Sequence, residues 1–160
     1  MQAMARSDDF WYFWAKCSHM RPAREPHFRL SDEAFALQFA EGTLKPGLFS
    51  HVAHLRLAYI HLQRHGLEQA IANMNTQILA FAIQQNVPDN FNRTVTTAAV
   101  YTMHSFMQRS TKPGFEALMQ EFPQLKTDFK GLLAKHYSGD IFTSREAKAQ
   151  FLEPDLAPFE

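Results

Sequence analysis

Apolar residues recur every three or four positions along most of this chain, and Gly or Pro interrupts the pattern at intervals. Leu67, Ile71, Met74, Ile78 and Phe81 hold that spacing without a break and predict a helix from just past Gly66 to about Asn86. The stretch before it predicts another, with Ser50 as N-cap and Gly66 just past the end. So short a break makes the two antiparallel neighbours. Further helices are predicted over residues 8–19, a segment rich in rings, and from Ser31 to about Leu44. Others run from Asn92 or Arg93 to about Ser110, from Gly114 to Glu121, from Pro123 to His136 or Tyr137, and from Ser144 to Leu152. Pro22 to Pro26 reads as a linker, Val87 to Asn90 and Ser138 to Asp140 as turns, and residues 153–160 as an extended tail lying along the surface.

No stretch alternates apolar and polar residues convincingly, so the predicted fold class is all-α. The expectation is one domain over residues 1–160, a bundle-like array of about six or seven helices around the antiparallel pair. Residues 1–30 form its aromatic helix and linker. Leu55, Tyr59, Leu62, Ile71, Met74, Ile78, Phe81, Val100, Met103 and Phe106 are expected to be strongly buried.

Composition sharpens the exclusions. At 160 residues, 46% hydrophobic and 20% charged, the chain can bury a proper core, and its 15 Phe imply one built on rings. Sixteen Lys and Arg balance 16 Asp and Glu, which leaves no broad field to draw nucleic acid or an acidic membrane. No apolar run approaches the roughly 18 residues of a membrane span. Neither nucleic acid nor membrane is therefore expected as a partner, and Arg21, Arg24 and Arg29 read as solvated surface. The lone Cys17 excludes an intrachain disulfide and a CxxC metal site, and reads as a small buried hydrophobe. Phe10-Trp11-Tyr12-Phe13-Trp14 follows Asp8 and Asp9 and does not resemble a signal peptide, so a cytoplasmic setting is expected.

Chemistry concentrates in the helix beginning at Ser50. His51, His54, His61 and His65, half of the chain's 8 histidines, fall on one stripe at the edge of its apolar face. One ion cannot use all four, because the second pair lies some 15 Å along the axis from the first. His65 beside Gly66 suits the negative end of the helix dipole, and His61 suits packing at the core rim. His51 and His54 sit in the first turn, where the dipole disfavours protonation and leaves the neutral, metal-binding form. HxxH by itself is a weak signal, and no HExxH accompanies it. In the helix after Asn92, the hydroxyls of Thr94, Thr97 and Tyr101 recur along one side. They either bond back to carbonyls one turn earlier or line a polar cavity opposite His51 and His54. A phosphate-binding Gly loop, a GxSxG elbow and a carboxylate-rich di-metal pattern are all lacking in the sequence.

Phe49-Ser50-His51-Val52-Ala53-His54-Leu55-Arg56-Leu57-Ala58, with Phe91-Asn92-Arg93-Thr94-Val95-Thr96, resembles the segments W/F-x-H-x-x-H-L-R-x-A and Y-H-x-T-x-T of a small all-helical bacterial family. Ser144 to Ala147 and Phe151 to Leu156 are similar to that family's ending, so the likeness covers roughly residues 30–158. The resemblance implies the fold and a shared pocket; no established activity comes with it. Asn92 stands where the family has histidine, and amides bind transition metals poorly, which weighs against a three-histidine centre here. Arg93 stands where an acid is expected.

Two function classes follow. One is a small-molecule-binding protein or small enzyme whose pocket joins His51, His54 and Asn92 with Thr94 or Thr97, Tyr101 closing one side and Arg56 lying outside. The other is a non-catalytic interaction module that docks a protein partner, or itself, through the aromatic N-terminus and apolar tail. A divalent transition metal on His51 and His54 is a further reading, and no other cofactor is predicted.

Overall fold

The computed structural model describes residues 24–160, and every regular element among them is helical. The α-helices are α1 (Asp32–Glu41), α2 (His51–His65), α3 (Leu67–Gln84), α4 (Arg93–Arg109), α5 (Phe115–Glu121), α6 (Gln124–Thr127), α7 (Phe129–Ala134) and α8 (Arg145–Ala149). Single 3₁₀ turns cover Pro26–Arg29, Pro46–Leu48 and Pro88–Asn90. The fold is an all-α, bundle-like array. The predicted aromatic helix over residues 8–19 lies outside the described residues.

The helix starts are set by side chains that accept from orphaned backbone N–H groups. Ser31 Oγ accepts from Ala34 at 3.1 Å, Ser50 Oγ from Ala53 at 3.1 Å, Asn92 Oδ1 from Val95 at 2.9 Å and Ser144 Oγ from Ala147 at 3.2 Å. Gly42 stops α1 in the left-handed region at φ 74°, a conformation cheap only for glycine. Gly66, at φ 78°, is the single residue between α2 and α3, and the two helices pack against each other and against α4. α1 covers α2 and α3, while α7 and α8 lie against α4. As a result α2 is enclosed on all sides, and every residue from Val52 to Leu62 is buried. Phe39, Phe49 and Phe81 knit α1 to the entry of α2 and the end of α3, with ring centroids 4.5 to 5.3 Å apart.

Four expectations need correction. The helix expected from Pro123 to His136 breaks at Asp128, whose backbone leaves the helical region (φ −145°, ψ 48°) so that its carboxylate can cap Gly131. The last helix stops at Ala149 rather than Leu152, because Gln150 turns extended and the chain runs out to bond with Thr94. The expected linker ends in the 3₁₀ turn Pro26–Arg29, which drives His27 into the core at 1% exposure. Ile71 and Phe81 are only partly buried, each packed on the rim of the core. The other eight positions expected in the core are buried.

Candidate functional site

His51 and His54 open α2, and burial disfavours the charged form of both. Burial, first of all, pushes His54 down to about 3, and the charge of His51 adds to the effect. Its ring lies against Phe49, centroids 5.5 Å apart. His51 bonds through Nε2 to the Leu125 carbonyl at 2.9 Å and meets the Phe129 ring edge-on at 5.1 Å. A carbonyl can only accept, so Nε2 carries the His51 proton. Burial lowers this ring's pKa too, partly offset by the Leu125 bond and the nearby Glu25 charge.

One turn further on, Arg56 is buried at 4% exposure. Its Nη1 donates to the His27 carbonyl at 2.8 Å and Nη2 to the Leu30 carbonyl at 2.9 Å. Nε and Nη2 reach Asp32 Oδ1 at 3.1 and 2.8 Å. The guanidinium lies over the rings of Phe28 and Phe35, 5.1 and 4.9 Å from their centroids. Nη1 also stands 3.3 Å from His27 Nδ1. Arginine has no lone pair to offer, so Nδ1 is the acceptor and the His27 proton sits on Nε2. That proton is donated to Glu25 Oε2 at 3.2 Å. Burial acts to raise the Glu25 pKa, but its bonds from His27 and Ser50, with the charge of Lys126, hold it below the usual carboxylate range. A hydrogen-bonded chain thus runs from Asp32 through Arg56 and His27 to Glu25.

Glu25 forms part of the wall of an open groove of about 520 Å³. Phe28, Val52 and Met119 supply its apolar surface, and Lys126 and the Arg24–Glu116 ion pair, 3.0 Å long, stand around it. The groove therefore lies where the 3₁₀ turn, the start of α2, and α5 and α6 converge. Of these residues the sequence reading singled out none as functional. The available signal was Arg56 itself: a charge placed between Leu55 and Leu57 on an enclosed helix must have buried partners.

The other expected site residues are engaged elsewhere. Asn92 spends both ends of its amide, capping α4 with Oδ1 and donating through Nδ2 to the Ile141 carbonyl at 2.7 Å. Thr94 Oγ1 donates to the Gln150 carbonyl at 2.7 Å and accepts from the Leu152 N–H at 3.0 Å. Thr97 Oγ1 accepts from Asn75 Nδ2 at 3.0 Å, tying α4 to α3. Tyr101 stacks flat on Phe159, centroids 5.0 Å apart, and His136 lies 4.2 Å from the same ring. The bonds of Asn92, Thr94 and Thr97 thus run to Val95 and Ile141, to Gln150 and Leu152, and to α3, and to neither His51 nor His54. Of the hydroxyls on α4, Thr102 is the one that bonds back one turn, to the Ala98 carbonyl at 2.8 Å.

His61, 6% exposed, accepts at Nδ1 from Asn73 Nδ2 at 3.2 Å, and its ring lies 5.7 Å from that of exposed His65. Among the described residues no three His, Cys, Asp or Glu side chains are grouped so as to hold a metal ion. Among them, too, no helix is long and apolar enough to cross a membrane. No protein-family model matches this chain, and no curated protein or solved structure matches it significantly.

Proposed function

We propose that this protein binds a small molecule in the groove lined by Glu25, Phe28, Val52, Met119 and Lys126. The observation that carries the reading is that a chain of bonds through buried Arg56 and His27 ends in a carboxylate at the wall of an open groove of about 520 Å³. Rigid support behind an exposed polar group is what orients a ligand, since little freedom is then lost on binding. An apolar surface beside it supplies the area to bury.

The chemistry favours binding over turnover. A general base works best with a pKa near the working pH and a lone pair aimed at substrate. Both nitrogens of His27 are committed, to Arg56 and to Glu25. His54 is held neutral by burial down to about pH 3, and Glu25 is a weaker base than an ordinary carboxylate.

The test is calorimetric titration of the full chain with members of a fragment library. Binders should lose affinity in Met119→Glu, which places a charge on the apolar surface, and keep it in Leu156→Glu, an exposed control outside the groove. Binders indifferent to Met119→Glu would place the site elsewhere.

A further inference from the structure

Four charged side chains surround the groove, and they are not equivalent. Arg24 and Glu116 neutralise one another at 3.0 Å on the rim, where both are largely exposed. Glu25 and Lys126 remain. They are close enough for the Lys126 charge to be among the causes that lower the Glu25 pKa. Yet no ion pair within 4.0 Å joins them. Two opposite charges are thus held around one cavity without closing on each other.

Their remaining hydrogen-bonding capacity is complementary. A carboxylate has about four lone-pair sites, and His27 and Ser50 donate to that of Glu25. An ammonium has only donors, and no hydrogen bond of the Lys126 side chain is found among the described residues. Anchoring Glu25 through buried His27 keeps the carboxylate from swinging across to Lys126. Phe28, Val52 and Met119 supply an apolar surface in the same cavity.

We propose that the groove recognises an amphipathic zwitterion of the α-amino-acid type, its ammonium on Glu25, its carboxylate on Lys126 and its apolar side chain against Phe28, Val52 and Met119. This rests on the groove being the binding site. A lone anion would meet Glu25 and a lone cation would meet Lys126, so each single charge is opposed by the group that the zwitterion satisfies. A molecule that carries both charged groups on one carbon leaves neither side chain uncompensated.

The probes are L-phenylalanine, N-acetyl-L-phenylalanine, which lacks the cation, and L-phenylalanine amide, which lacks the anion. Titrated into the full chain, the zwitterion should bind at least about tenfold tighter than either blocked form. Glu25→Gln should erase the preference over the acetylated form, and Lys126→Met the preference over the amide. Lys126 is exposed, so its replacement leaves the fold intact even if Glu25→Gln loosens the 3₁₀ turn. Equal binding of all three probes, lost together in Met119→Glu, would overturn the zwitterion while leaving the groove as the site. Binding of none of them, with other fragments still lost in Met119→Glu, would overturn it in the same way.

Discussion

Arg56 and Asp32, 24 residues apart, meet through two donors on one oxygen: Nε and Nη2 of the arginine both reach Asp32 Oδ1, at 3.1 and 2.8 Å. The two ends differ in burial, with the arginine side chain 5% exposed and the aspartate 48%. Removing the arginine strips the Leu30 carbonyl of its donor and leaves the His27 carbonyl only the Leu30 N–H; removing the aspartate charge leaves Arg56 still bonded to both carbonyls. Arg56→Met should therefore cost about 3–5 kcal/mol, the range for breaking a buried, hydrogen-bonded charge. Asp32→Asn should cost only about 1 kcal/mol, because solvent screens its half of the pair. Urea unfolding of both variants measures the contrast.

His54 predicts an acid-sensitive fold. Its pKa lies at about 3 in the folded chain against an ordinary imidazole value of 6.5, so between those limits the unfolded chain binds the extra proton. Stability then rises with pH across the window and is lost as pH falls from about 6.5 toward 3, by up to about 1.4 kcal/mol per unit from this group. His51 and His61 are lowered in the same direction and add to the slope below their own ordinary values. Unfolding free energies measured between pH 7 and pH 4 should fall less steeply in His54→Leu than in the parent chain.

Thr94 and Thr102 sit on one helix with different partners, and the difference is measurable. Thr94 joins α4 to the segment around Gln150 and Leu152, whereas Thr102 returns its hydroxyl to its own helix at Ala98. Thr94→Val strands a carbonyl and an N–H and should cost about 1–3 kcal/mol, with faster amide exchange at Leu152. Thr102→Val removes a bond to a carbonyl that the helix ladder also serves, and should fall within about 1 kcal/mol of the parent.

Asn92 needs both ends of its amide. Asn92→Asp keeps the acceptor for Val95 but sets a carboxylate against the Ile141 carbonyl. It should destabilise by about 1–3 kcal/mol despite the favourable helix dipole. Asn92→Ala loses the cap as well and should be worse, as thermal unfolding of the two variants side by side would show.

Helix positions were legible because caps and breakers act locally: Ser31, Ser50, Asn92 and Ser144 each begin a helix as their side chains dictate. The break at Asp128 was hidden, since an Asp in an otherwise helical pattern is also an ordinary surface residue. The site was less legible than the fold. On the sequence His51, His54, Asn92 and Thr94 look alike, as polar residues near helix starts. What separates them is which segment lies opposite, the turn carrying Leu125 for His51 and the C-terminal segment for Thr94. The sequence places Arg56 outside the pocket and shows an apolar face on only part of α2. With the helix enclosed on every side, Arg56 became the residue around which Glu25 and His27 are arranged.

The most direct test of the groove as the binding site is amide chemical-shift mapping of the full chain during titration with fragments that raise its melting temperature. The account predicts that the largest changes fall on residues 24–28, Val52 and the stretch from Glu116 to Lys126. Changes centred instead on Asn92, Thr94 and Tyr101, with residues 24–28 unmoved, would contradict it.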